Sequence, residues 1–492
     1  MEAAKQGHPK GLYVLFFSEM WERFSFYGMR ALLIFYMTKE FLFGDNAAYG
    51  VYGAYTALVY ATPLFGGMIA DRILGYRKAV VLGGVLMALG HFTMTFQHVQ
   101  VFYFALGLII CGNGFFKPNI STIVGKLYKT GDPRRDSGFT IFYMGINLGA
   151  MFAPLLCGLI GEIYGWHYGF GLAGIGMVVG LIVFLRGQKH LGGVAEPPDP
   201  DELKKPVLPG INQELSVYIG TGVAVLVAWR LVQATKIVGG ALSFIGVAAL
   251  AFIVFHMISR CDKEERDRLI VVLLLCLFSM VFWAFFEQAG SSINLFTDRN
   301  VDRSLFGWEI PASTFQSVNP AFILIFAPIF ATIWTKLGNR QPSTPVKFGI
   351  AILQLGLGFG ALWMGAKLST ETGMVPLFWL TAGYLLHTTG ELCLSPVGLS
   401  AVTKLSPARI GGLMMGTWFL ASAFSQYIAG LIAMLTGVSG EGAVATGTVP
   451  PATETVMVYG TVFGQIALTA IVISVLIIAF SPIIKKGMHG IQ

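Results

Sequence analysis

Charge is what this sequence has least of. Only 12% of its 492 residues are Asp, Glu, Lys or Arg, about half the roughly 25% of a soluble globular chain. The five cysteines (Cys111, Cys157, Cys261, Cys276, Cys393) are scattered, with no C-x-x-C pair. That spacing implies neither a disulfide framework nor a thiolate metal site, and they read as small buried hydrophobes. Metal-ligand spacing, a nucleophile elbow and a phosphate-binding loop are likewise missing, so the chain is not expected to be an enzyme. No A-x-A cleavage site follows the first apolar run, so the polar start MEAAKQGHPKG reads as a tail and not as a cleaved signal peptide.

Long apolar runs take the place of charge, and 55% of the residues are hydrophobic. Runs of about 18 or more recur along the whole length, which defines an all-α polytopic membrane protein. The runs are continuous and do not alternate, which excludes a β-barrel. The pattern predicts fourteen membrane helices: 12–37, 49–70, 79–97, 101–127, 138–162, 168–186, 214–234, 238–259, 269–297, 312–335, 346–366, 375–402, 411–437 and 456–483. The formal charge of +7 suggests a nucleic-acid binder until the basic residues are placed. With the N-terminus inside, only Lys39, Arg230, Lys236, Arg299, Arg303 and Lys367 fall in outer loops. Arg23, Arg30 and Lys117 fall within spans, and the remainder lie inside. The bias sets topology, places both termini in the cytoplasm and removes the nucleic-acid reading.

The expected organisation is a cytosolic tail (1–11), a six-helix bundle (12–187), a linker (188–213), an inserted helix pair (214–259), a second six-helix bundle (260–484) and a short cytosolic tail (485–492). The linker, QKHLGGVAEPPDPDELKKPVLPGINQ, is rich in proline and charge and reads as a flexible connection. No loop is long enough for a soluble catalytic or signalling domain, which argues against a receptor or membrane enzyme.

Within this apolar background the buried charges stand out. The first helix carries Glu19, Glu22, Arg23 and Arg30, each costing roughly 2.5–3.5 kcal/mol on insertion scales. With Tyr27 they share one helical stripe. A structural ion pair would account for Glu19 and Arg23 across one turn, but not for Glu22 and Arg30. Lys117 sits beside Pro118 in the fourth helix, too far from the helix end to snorkel readily. Glu287 and Glu391 lie in the second half. Asn147 and Asn319 are weaker signals, since a buried Asn is often a bond between helices. His387, His91 and His98 read as hydrogen-bonding residues and not as proton carriers. The N-x-[ST] match at Asn119 falls inside a span. The first half carries net positive intramembrane charge and the second net negative, so a cavity between them suits a zwitterion.

At these residues the chain resembles a family. Gly67, Asp71, Arg72 and Gly75, followed by Arg77 and Lys78, resemble the loop signature of the major facilitator superfamily. The E-x-x-E-R-F of Glu19, Glu22, Arg23 and Phe24 resembles the first-helix motif of proton-dependent oligopeptide transporters. GFFKPNISTIVGKLY, FYMGINLGAMFAP, FWAFFEQAGSSINLF, FQSVNPAFILI and GELCLSPVGLSAVTKLSP are similar to the same family. The resemblance covers about residues 11–437, and the inserted helix pair is typical of bacterial members.

The resemblance implies a major facilitator fold of two six-helix bundles plus two inserted helices, in a bacterial inner membrane. It implies proton-coupled import of di- and tripeptides by alternating access, with peptide-like drugs as further cargo. The functional unit would be a monomer in the lipid bilayer, using protons and no cofactor. Arg23 and Lys117 would hold the peptide carboxylate, and Glu391 with Asn147 and Asn319 the amine. Phe26, Tyr27, Tyr60 and Trp418 would line the pocket. Glu19, Glu22, Arg23 and Glu287 would couple protons, and Arg30 with Glu287 would form a gate. One position departs: Phe26 stands where the family commonly has a tyrosine, and the missing hydroxyl bears on affinity or side-chain preference. The alternative cargo is another small solute, such as nitrate, a drug or a peptide mimetic.

Overall fold

The computed structural model describes residues 7–129, 131–440 and 449–491. Residues 1–6 of the expected N-terminal tail, and Gln492 of the C-terminal one, lie outside this description. Among the described residues the chain forms fourteen long helices. They are α1 (Lys10–Phe35), α2 (Asp45–Ile69), α3 (Tyr76–Thr93), α4 (Val99–Lys126), α5 (Arg135–Tyr164), α6 (Trp166–Gly187), α7 (Gln213–Gln233), α8 (Thr235–Arg260), α9 (Lys263–Asn300), α10 (Ala312–Leu337), α11 (Thr344–Leu368), α12 (Leu377–Leu405), α13 (Gly411–Met434) and α14 (Ala452–Gly487). Eleven of them are long and apolar enough to cross a membrane. The other three are α1, α3 and α12; α1 and α12 are long enough but carry the polar residues of interest.

Local chemistry sets the ends. Asn212 accepts from the Leu215 amide, and Asp262 with Glu265 forms a reciprocal capping box, each satisfying amides that open a helix. Gly75, at φ 75°, ends the π turn Ala70–Leu74 that continues α2. It is held from outside as well, because a Cβ there would lie 2.6 Å from the Pro197 nitrogen.

The helices fall into two compact units. The first comprises residues 1–33, 58–234 and 313–320; the second comprises 34–57, 235–312 and 321–492. The divisions do not follow helix boundaries, since α1, α2 and α10 each contribute to both units. The inserted pair is also divided: α7 belongs to the first unit, α8 to the second, and Ala234 joins them.

In the first unit α3 runs along α4 and α6, and α7 packs on α4, where Gly107 meets the Val225 carbonyl and Trp229 amide. The expectation of a flexible linker at 188–213 is corrected. Short 3-10 turns at Gln188–His190 and Glu202–Lys204 and a hairpin pairing Pro206–Leu208 with Ile211–Asn212 give it structure. Leu191, Ala195 and Leu203 are buried, the Arg77 amide donates to the Ala195 carbonyl at 2.8 Å, and Arg77 pairs with Glu196 at 2.9 Å. Prolines and charges mark a folded strap here because apolar residues spaced between them anchor it.

The second unit is organised by an ion pair whose carboxylate is fully buried. Arg299 grips Asp45 with both terminal nitrogens, at 2.7 and 2.8 Å. Asp45 also accepts from the Ser439 hydroxyl at 2.6 Å and the Val438 amide at 3.0 Å. Nearby, Asn300 donates to the carbonyls of Gly373 and Ala452 and accepts from Thr455. Arg299 was expected in an outer loop, but α9 runs on to Asn300 and carries it on a helix, where it is partly buried. Removing one member of such a pair costs roughly 3–5 kcal/mol, because the other is left buried and uncompensated. Arg299→Met should therefore lower the detergent unfolding temperature sharply, and Arg299→Met with Asp45→Asn should recover part of the loss, as read by thermal melts of the purified protein.

Candidate substrate and proton site

Helix α1 supplies the centre of the first unit. Its sequence buries Glu19, Glu22 and Arg23 almost completely, with Arg30 and Phe26 nearly so. Arg23 is shared by two carboxylates: its Nε lies 3.2 Å from Glu19 Oε1, and its terminal nitrogen donates to Glu22 Oε1 at 2.7 Å. A second contact joins Arg23 Nε to Glu22 Oε2. The pairing of Glu19 with Arg23 across one turn is present, and Glu22, adjacent to Arg23 in sequence, makes the closer contact. The second oxygen of Glu19 is buried and has no hydrogen-bond partner among the described residues. A buried carboxylate oxygen without a donor is costly and is a place where a proton can reside.

Aromatic faces support the cations. The Arg23 guanidinium lies 5.4 Å from the centre of the Phe26 ring, and Arg30 lies 5.5 Å from that of Tyr27. Such contacts stabilise desolvated cations by up to about 2 kcal/mol. On α4, Lys117 is half-buried with its ammonium 4.6 Å from the Tyr60 ring, and it is close enough to act electrostatically on Glu19. This brings four expected residues, Glu19, Arg23, Tyr60 and Lys117, into one unit.

Close backbone approaches hold the geometry. Gly149 of α5 sits against the Met20 carbonyl and Arg23 Cβ of α1. Gly66 of α2 abuts the Gly114 carbonyl of α4, and Asn119 ties α4 to the Gly66 carbonyl at 3.3 Å. Asn147, on α5 and nearly buried, donates to the Tyr143 carbonyl of its own helix at 3.0 Å. That bond uses its nitrogen and not the oxygen that a cation would engage. Asn319 lies in the part of α10 that belongs to the first unit, together with Arg23 and Lys117.

The second unit contains Glu287, Glu391 and Trp418. Glu287 is buried and opens a 3-10 turn, Glu287–Gly290, that interrupts α9. Gln288 stabilises this break by donating to the Ala429 carbonyl at 2.9 Å. Glu391 is buried on α12, one turn after His387, whose ring packs 4.7 Å from that of Phe359. Trp418 of α13 packs over Gly398 of α12.

Two groups escaped the sequence reading. Asn113 is fully buried on α4, and its amide nitrogen lies 3.4 Å from Glu22 Oε1. Its position one turn before Lys117 was the available signal. The Asp45–Arg299 pair had none, because its partners are 254 residues apart. Among the described residues no cluster of His, Cys, Asp or Glu could hold a metal ion.

Buried charges of both signs on apolar, membrane-length helices are the mark of a multi-pass membrane protein with a path for ions or solutes. The sequence profile of the POT family matches residues 77–448. The chain is 41% identical to the "Uncharacterized transporter YclF" of Bacillus subtilis (strain 168), over 99% of its own length and 96% of that protein. It is 39% identical to the peptide transporter YePEPT of Yersinia enterocolitica subsp. palearctica serotype O:3 (strain YE-P4), over 87% and 88% of the two chains. A crystal structure of peptide transporter POT in complex with sulfate matches with a TM-score of 0.82 at 37% identity, covering 99% of both chains. The chain belongs to the POT family, and its fold is the all-α major facilitator fold expected from the sequence.

The glycine contacts give a direct test of the site's packing. Gly149→Ala must displace Arg23 or its helix, at a cost of roughly 1–3 kcal/mol. Gly67→Ala meets only ordinary contact with Pro118 at 3.7 Å. Thermal melts should show a clear loss for the first variant and little change for the second.

Proposed function

We propose that the protein is a proton-coupled symporter that imports di- and tripeptides by alternating access. The observation that carries this reading is Arg23, buried between Glu19 and Glu22 with Lys117 nearby on α4. The name of the Yersinia relative supports peptide as the cargo. Proton coupling accords with membership of the POT family.

In this reading the peptide carboxylate engages Arg23 and Lys117, while Glu391, with Asn147 and Asn319, receives the amine. Phe26, Tyr27, Tyr60 and Trp418 line the pocket, and Arg30 with Glu287 acts as a gate. An anion on Arg23 competes with Glu19 and Glu22 for the same positive charge. A carboxylate deprived of its cation in a low-dielectric site binds a proton more readily. Proton and peptide thus favour each other's binding, and the neutralised site can reorient as one six-helix bundle rocks against the other. Both termini are cytoplasmic, the membrane is the bacterial inner membrane, and the monomer suffices. The proton is the coupling ion, and no cofactor is used.

Glu22→Gln cannot exchange a proton. Reconstituted in liposomes, it should retain peptide counterflow and fail to accumulate peptide against a gradient when a pH difference is imposed. Uphill accumulation by this variant would exclude Glu22 as a coupling group. Di- and tripeptides should raise the unfolding temperature where free amino acids do not. A ligand at about 100 times its Kd adds about 2.7 kcal/mol of stability. Stabilisation by nitrate in place of peptide would assign a different cargo.

A further inference from the structure

We infer that Asn113 is a positioning residue for proton exchange at Glu22: its carboxamide donates to the ionised carboxylate and, turned over, accepts from the protonated one. This deepens the proton-coupled reading above and rests on it.

The geometry provides both halves. Asn113 Nδ2 lies 3.4 Å from Glu22 Oε1, and both residues are fully buried. Asn113 Oδ1 is also buried and has no hydrogen-bond partner among the described residues. An ionised carboxylate only accepts hydrogen bonds, and a protonated one must also donate. A carboxamide is the small neutral group that carries a donor and an acceptor on one rotatable plane. With Glu22 ionised, the amide nitrogen serves it and the oxygen is left without a partner. When Glu22 takes up a proton, its new O–H has Asn113 Oδ1 within a rotation of the amide. The cost of a buried polar atom without a partner therefore moves with the protonation state.

The backbone under Asn113 is fixed while its side chain rotates. The flanking Gly112 lies against Met87 and the Gly83 carbonyl, and Gly114 lies against Thr62. The charged groups beside Glu22 are Arg23, which contacts it, and Glu19, which shares that guanidinium; Lys117 lies one turn beyond Asn113 on α4. On helix α6, Gly180 lies against the Ser18 carbonyl and the backbone at Glu22. Arg23 favours the carboxylate alone, because a guanidinium has no acceptor. Asn113 offers the protonated form an acceptor.

Wild type, Asn113→Leu and Asn113→Thr in liposomes separate the possibilities. Two assays are needed: peptide counterflow without a pH gradient, and pH-driven accumulation as a function of external pH. In Asn113→Leu the carboxylate loses only the long 3.4 Å amide hydrogen bond and keeps both Arg23 contacts, while the acid loses the one acceptor Asn113 offers it, so the second loss outweighs the first. Counterflow should persist, and half-maximal accumulation should move by about one unit to more acidic pH. Asn113→Thr, with a hydroxyl that both donates and accepts, should recover most of that shift. A Leu variant with the wild-type pH profile overturns the inference. If Leu at this position abolishes folding, infrared difference spectra of the wild type between acid and neutral pH decide it. With asparagine side chains isotope-labelled, a labelled amide band should respond to pH and fall silent in Glu22→Gln, and no such band overturns the assignment. A wild type that exchanges peptide without responding to the proton gradient removes the proton-coupled reading itself, and this inference with it.

Discussion

A single guanidinium shared by two carboxylates organises the first unit. Arg23 could not remain in a membrane helix alone, and neither could Glu19 or Glu22. Gathered on one stripe of α1, each offsets part of the others' desolvation. The packing around them follows from this need. Gly149 and Gly180 let α5 and α6 approach the α1 backbone, and ring faces at Phe26 and Tyr27 cover the cations. Among the described residues, one oxygen of Glu19 and the oxygen of Asn113 find no hydrogen-bond partner, so the cluster retains polar demand. A buried network with residual polar demand can change state when a proton or an anion arrives.

The second unit uses the same physics for a different end. Asp45 is as deeply buried as the α1 carboxylates and Arg299 is partly buried, and serine and backbone donors complete the carboxylate's coordination. Saturation of that kind makes a structural fixture. The two buried carboxylate sites differ in how many lone pairs remain without donors among the described residues.

Much of this was readable in one dimension. Apolar runs located all fourteen helices to within a few residues, because bilayer thickness imposes the length of a span. The E-x-x-E-R-F motif singled out α1 because charge inside an apolar run has few explanations. Asn113 was harder to see, since an uncharged amide is common between packed helices and only its contact with Glu22 distinguishes it. Arg299 lies at the end of a span, where charge is ordinary, and its partner is far away in the chain. The linker misled because proline and charge describe an exposed strap and a flexible tether equally well. Leu191, Ala195 and Leu203 decide between them only once their burial is known.

That strap has a practical consequence for opening or decorating the chain. Labels, affinity handles and new termini are usually sent to the longest polar connection of a helical membrane protein, and by composition that is 188–213. Pro197, however, lies over Gly75 at the turn after α2, so an insertion there would pry at the signature loop. Twelve or so residues later the chain offers a better place. Gly210, at φ 78°, occupies the tip of the small hairpin, and no neighbouring atom lies within 4 Å of where its side chain would be. Added sequence tolerates such exposed tips best, and Pro209–Gly210 is where a reporter could be grafted without touching either charge cluster.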